Sequence, residues 1–167
     1  MVIGPESTGK STLTRQLAAH FSTSHAEEYA RAYLEGLNRP YEQEDLDHIA
    51  RGQISEEEQA LSHAMNGLVF LDTDLYVIKV WSEDRYGTCT EDTLQQIACR
   101  TYDLYLLTHI DMPWEDDPLR EHGAPEERHY FFSIYHDIVQ QSGVPFAIVS
   151  GTEQERLQQA IAAVQQL

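Results

Sequence analysis

A chain of 167 residues is long enough for one domain that buries about two-thirds of its unfolded surface, so no disulfide or metal staple is required. Eleven Lys and Arg stand against 28 Asp and Glu, a formal net charge of -17. That balance argues against a nucleic-acid partner, which wants a basic face. No apolar run approaches the roughly 20 residues that span a bilayer, and no charged-then-apolar leader opens the chain. A cytoplasmic protein with no membrane partner is therefore expected. Cys89 and Cys99 lack a CxxC spacing and read as thiols in a reducing compartment.

In chain order, Met1, Val2 and Ile3 form a short strand stub, as short as if residues upstream had been lost. Residues 11–21 follow as a helix with Leu13, Leu17, Ala18 and Phe21 on one face. Residues 24–28 suggest a second strand. Residues 28–37 look helical until Asn38, Arg39 and Pro40 break them. Residues 41–65 read as one or two helices. Residues 68–71 have the length of a buried strand, and a further helix starts near Leu75. Residues 102–107 are another strand. Residues 112–128 carry three prolines and many charges, as a loop or lid would. A helix over 129–142 and a strand over 145–149 come next. Thr152 then caps a closing helix, with Glu155 as capping-box partner. Strands alternating with helices predict an α/β fold, a parallel sheet covered on both faces, in one domain over residues 1–167.

Gly4 to Ser11 match G-x-x-x-x-G-K-[ST] between an apolar strand and a helix, where a phosphate-binding P-loop belongs. The backbone of Gly4, Glu6, Ser7, Thr8 and Gly9, with the helix start at Lys10, Ser11 and Thr12, should converge on the phosphates of ATP or GTP. Lys10 should reach the β- and γ-phosphates, and the Ser11 hydroxyl should ligate Mg²⁺.

Asp72 ends an apolar strand, as a Walker-B carboxylate would; it could instead only cap the next helix. Asp74 lies two residues on. One of the pair could hold the Mg²⁺ shell while the other accepts a substrate hydroxyl proton. Glu27, Glu28 and Arg31 follow the second strand, at the end that faces the site in such sheets. A carboxylate there could bind a ribose or activate a 5′-hydroxyl, and Arg31 could contact a phosphate. Arg120 and Arg128 could neutralise charge in a phosphoryl-transfer transition state. Trp81, Tyr86 and Trp114 could sandwich an aromatic base. The Ser150–Gly151 turn is the candidate adenine loop.

The segments GPESTGKSTL, EEYARAYLE, IARGQ, LDTD, KVWSE, YDLYLLT, IDMPWEDDPLR and the final VSG occur in an order that resembles the ribosylnicotinamide kinase domain of NadR-type proteins. The resemblance covers nearly the whole chain. It implies a P-loop nucleoside-kinase-like fold, ATP-dependent phosphorylation of nicotinamide riboside to nicotinamide mononucleotide, and a lid built on PWEDDPLR. His109 stands where the resemblance leads one to expect an acid, and Pro118 where a glycine is usual. No HxGH-type adenylyltransferase signature or basic helix-turn-helix accompanies it, so those functions are not implied. Two other readings remain open: a regulatory nucleotide-binding module, and a kinase for another nucleoside or nucleotide. The acidic pair and the lid arginines favour catalysis, and no NKxD-type guanine reader is present.

Overall fold

The computed structural model describes residues 1–167. Its strands are short: β1 Val2–Ile3, β2 His25–Ala26, β3 Phe70–Leu71, β4 Tyr105–Thr108 and β5 Phe146–Val149. All named pairings are parallel: β1 with β4, β4 with β5, and β2 with β3. A parallel bridge from Val2 to Asp72 joins the two groups, so the strands run in the order β2–β3–β1–β4–β5. Parallel neighbours require crossover connections, and helices supply them: α1 Lys10–Phe21, α2 Tyr29–Glu35, α3 Gln43–Ser62, α4 Leu75–Tyr86, α5 Glu91–Ala98, α6 Pro125–Gln141 and α7 Glu153–Val164.

Successive strand side chains point to opposite faces, and the core divides accordingly. Ile3, Tyr105 and Leu107 pack with Phe131, Tyr135 and Val139 of α6. Val2, Leu106 and Val149 pack instead with Leu13 and Leu17 of α1 and Ala160 and Ile161 of α7. A third cluster lies outside the sheet, where Ala30 of α2, Leu46 and Ile49 of α3, and Leu75 and Ile78 of α4 meet. Within it Gly52 of α3 lies against the ring of Tyr29; a Cβ there would stand 2.1 Å from that ring. Nearby, buried Gln53 accepts a hydrogen bond from the Tyr29 amide at 2.9 Å.

One open reading is settled and two are corrected. Residues 41–65 contain one helix, α3, whose start is fixed by a capping box between Glu42 and Asp45. Helix α5 was not foreseen; Thr90 caps it, accepting from the Thr93 amide. Residues 125–128 are not loop but the first turn of α6. Pro125 at its start has a preset φ and no N–H to leave unpaired. Arg128 is thereby mounted on a helix, and the connecting loop shortens to residues 109–124.

Candidate active site

The glycine-rich loop begins directly after β1 and ends at Gly9, whose φ of +78° suits a residue without a side chain. Helix α1 then starts with no side-chain cap and no acid in its first turn. Its free N–H groups and the positive end of its dipole are left for an anion. Beneath the loop, the buried Thr8 hydroxyl donates to the Pro5 carbonyl at 2.7 Å and lies 2.7 Å from the Thr108 hydroxyl on β4. Lys10 Nζ donates to the same Pro5 carbonyl at 2.9 Å.

Asp72 sits at the end of β3 and is buried. Burial pushes its carboxyl up to about 6, while the Lys10 charge and the Ser11 hydroxyl pull it down. Its Oδ2 is buried without a hydrogen-bond partner. Such an oxygen, with a hydroxyl close by, fits one side of a Mg²⁺ shell. Asp74 is a correction. Its Oδ1 accepts from the amides of Tyr76 and Val77 at 2.9 and 3.3 Å, and its Oδ2 accepts from the Tyr105 hydroxyl at 3.2 Å. Oδ1 is occupied in capping α4 and Oδ2 by the β4 tyrosine, both beneath the surface, and Asp74 does not line the cavity.

One cavity of about 600 Å³ runs from the glycine-rich loop to the third helical cluster. Lys10, Arg31, Arg39, Arg120, Arg128 and Arg156 line it, six of the eleven Lys and Arg residues in the chain. A molecule with so negative a total has gathered most of its cations at one place. Glu28, half-buried at the start of α2, faces the same space. The far wall is apolar and aromatic, with Leu34, Leu37, Tyr41, Val77 and Trp81.

Residues 109–124 fold down over the loop. Arg120 Nη1 and the Glu115 amide both donate to Ser7 Oγ, at 3.2 and 3.0 Å. The amides of Glu121 and His122 converge on Glu6 Oε2 at 3.0 and 3.2 Å. Arg128 donates to the carbonyls of Met112 at 2.9 Å and Ser7 at 3.3 Å, while its Nε is buried without a partner. Arg31 reaches Asp117 at 2.9 Å.

The structure brings together the glycine-rich loop, Ser11, Thr12, Glu28, Arg31, Trp81, Arg120 and Arg128 on this cavity, with Asp72 beside Lys10 and Ser11. It does not bring the other sequence candidates there. Trp114 lies within the lid, its Nε1 donating to Asp116 at 2.9 Å and its ring 6.0 and 5.9 Å from the guanidinium groups of Arg120 and Arg128. It stiffens the lid rather than lining the cavity. The Tyr86 hydroxyl donates to the Tyr41 carbonyl at 3.3 Å, away from the wall. Glu27 is held by Arg15 and His25 on the outside of the sheet. The amides of Ser150 and Gly151 donate to Gln159 and Asp111, and the turn stops short of the cavity, where Glu153 and Arg156 of α7 stand instead.

Arg156 was not singled out in the sequence. It is buried and donates to the carbonyls of Thr8 at 2.8 Å, His109 at 2.9 Å and Gly151 at 3.0 Å, and to the Asp111 carboxylate. One guanidinium thus ties the glycine-rich loop, the lid and the last turn. Only its place in an amphipathic closing helix was visible, and such an arginine normally reads as solvated. Tyr41 was missed because it was read as the first residue of a helix, whereas it lies before α3 and turns to the cavity.

Comparison with known proteins agrees with this architecture. A family model described as an AAA domain matches residues 1–156. The chain is 30% identical over 152 residues to the trifunctional NAD biosynthesis/regulator protein NadR of Salmonella typhimurium, and equally to that of Escherichia coli. The match takes in 89% of this chain but 37% of either relative. A crystal structure of NadR in complex with NR superposes with a TM-score of 0.75 at 28% identity, covering 99% of this chain and 49% of that one. NadR with NAD and AMP-PNP gives 0.75 at 29% identity, over 99% of this chain and 48% of that one. YorR of Bacillus subtilis, solved with phosphorylated GDP, shares the fold at a TM-score of 0.57 and 13% identity, over 98% of this chain and 94% of that one. With the P-loop, the parallel sheet and the family model in agreement, the chain belongs to the AAA domain family and is similar over most of its length to part of NadR.

Proposed function

We propose that this chain is a kinase that transfers the γ-phosphoryl group of ATP to the 5′-hydroxyl of nicotinamide riboside, giving nicotinamide mononucleotide and ADP. The observation that carries the reading is the cavity itself: Lys10, Arg120, Arg128 and Arg156 gather at the glycine-rich loop, and an aromatic wall around Trp81 lies toward the third helical cluster. A polyphosphate suits the first, and a flat ring suits the second. The resemblance to NadR, whose solved structures are described as complexes with NR and with NAD and AMP-PNP, supports the choice of ligands.

In this reading the amides of Glu6 to Gly9 and the start of α1, with Ser11 and Thr12, cradle the phosphates. Lys10 bridges to the γ-phosphate. Ser11 and Asp72 would hold Mg²⁺, which supplies charge neutralisation across the phosphates when bound. Arg120 and Arg128 reach in from the lid, where negative charge develops on the transferring group. The acceptor oxygen attacks the γ-phosphorus as the bond to the β-bridging oxygen breaks. With Asp74 turned away, Glu28, which lines the cavity beside Arg31, would take the 5′-hydroxyl proton. The pyridinium ring of nicotinamide riboside carries a permanent positive charge, and a cation over an aromatic face gains about 0.5–2 kcal/mol. The closed lid limits transfer to water.

A panel of nucleosides with ATP and Mg²⁺, read by product mass, tests the assignment. Nicotinamide riboside should give the highest kcat/KM. Equal or better turnover of uridine, cytidine or a nucleoside monophosphate would replace the acceptor. Tight nucleotide binding with no transfer to any acceptor would instead favour a regulatory module.

A further inference from the structure

Tyr41 occupies the only place where the aromatic wall meets the lid through a side-chain hydrogen bond. Trp81 Nε1 donates to Tyr41 Oη at 3.0 Å, and Tyr41 Oη donates to the Glu121 carboxylate, 2.9 Å from Oε2 and 3.1 Å from Oε1. The Glu121 amide in turn donates to Glu6 Oε2 in the glycine-rich loop at 3.0 Å. The direction of this chain is set by chemistry. An indole N–H only donates, a carboxylate only accepts, and a phenol has one proton to give. Burial pushes the Tyr41 hydroxyl up to about 12, so it keeps that proton under all working conditions. The rings of Tyr41 and Trp81 meet edge to face at 4.9 Å, which fixes the hydroxyl's position from the wall side. Beside this contact, His122 lies 3.5 Å from Asp84 of α4, a second tie between the lid and the helix that carries Trp81.

We propose that Tyr41 is a positioning residue that latches the lid to the acceptor wall, so that displacement of Trp81 by a ligand is carried through Glu121 to Glu6 at the phosphate loop. This rests on the reading of the aromatic wall as the acceptor side. The latch makes lid closure depend on what fills the far end of the cavity as well as on ATP. An acceptor that seats Trp81 correctly keeps the chain intact, and one that pushes it aside releases Glu121 and loosens the lid over the phosphates.

The test uses the intact chain in two measurements. Hydrogen exchange of the peptide spanning residues 115–124, without ligand, should quicken about tenfold in Tyr41→Phe and in Glu121→Ala, the loss of one hydrogen bond to a charged group. The double variant should quicken no further, because each change breaks the same link. Glu121→Gln, which still offers Tyr41 an acceptor oxygen, should stay near wild type. In turnover assays Tyr41→Phe should raise the KM of the acceptor about tenfold and that of ATP by a smaller factor, since ATP feels the latch only through the lid. Unchanged exchange in Tyr41→Phe, or additive effects of Tyr41→Phe and Glu121→Ala, would overturn the latch. Because exchange is read without any acceptor, failure of nicotinamide riboside as substrate would refute the proposed reaction and leave this test standing.

Discussion

Lys10 Nζ and Pro5, at the two ends of the glycine-rich loop, are already joined: the ammonium donates to the Pro5 carbonyl at 2.9 Å. The cation is thereby held against its own loop, on the cavity that the loop lines. Lys10→Ala should therefore leave the fold intact, since Lys10 is only half-buried, and remove nucleotide-dependent transfer. Circular dichroism and product formation check the two halves. Near-normal turnover in a folded variant would remove Lys10 from the chemistry.

Asp72 and Asp74 should separate cleanly. Asp72→Asn, which removes one charge from the proposed Mg²⁺ site, should cut transfer by roughly 10²–10⁴-fold with a smaller loss of ATP affinity, the scale of a single positioned catalytic group. Asp74→Ala should instead destabilise the fold by on the order of 2 kcal/mol, through loss of the α4 cap and an unpaired buried Tyr105 hydroxyl. Its turnover per folded molecule should stay close to wild type. Turnover and denaturant melts of both variants decide the matter, and a reversed pattern would return Asp74 to the active site.

Arg120 and Arg128 differ in mounting. Arg120 rises from the loop and touches Ser7 Oγ, whereas Arg128 stands on the first turn of α6 and braces the carbonyls of Ser7 and Met112. Alanine at either position should lower kcat more than it weakens ATP binding, about tenfold or more for each. Arg128→Ala should additionally lower the melting temperature, because two carbonyls lose their donor. If neither variant changes kcat, the loop is only a connector.

A pH effect is expected away from the cavity. Glu57 of α3 is buried beside the Tyr102 hydroxyl and 3.7 Å from Arg100, and burial with the nearby Asp74 charge pushes its carboxyl up to about 7. Asp74 itself is raised to about 6, mainly by burial. A carboxyl raised in the folded state holds its proton more tightly there than in the unfolded chain. Its stabilisation is full below the ordinary carboxylate range and is lost as pH climbs through the raised value. Stability should thus decline between about pH 4.5 and 7.5. Thermal melts of wild type and Glu57→Gln across that window should show the variant gaining relative to wild type as pH rises. A constant difference would show that Glu57 does not titrate in this way.

The P-loop was legible because its spacing, glycine positions and flanking apolar runs are local features that one mechanism requires together. The strand before Asp72 was legible for a similar reason. The fate of Asp74 was not. Two residues of separation cannot say which carboxylate faces the phosphates and which turns under α4 to meet Tyr105, a partner 31 residues away. Trp114 failed in the same manner, since its neighbours Arg120, Gly123 and Arg128 become neighbours only when the lid folds. Pro125 misled differently: read as a loop residue, it is the first residue of a helix, a position that proline favours as readily as a turn. The family resemblance was legible because it rests on the order of many segments and not on any one of them.

Gly52 acts as a spacer gauge for one wall of the cavity. The Tyr29 ring occupies the volume where its side chain would be, so the distance between α2 and α3 is set by the absence of one methyl group. Glu28 and Arg31 flank Tyr29 and ride on the same helix start. Widening that gap by even an ångström would carry a carboxylate and a guanidinium away from the cavity without touching either of them. A residue that does not line the cavity thus calibrates where the carboxylate proposed as proton acceptor stands.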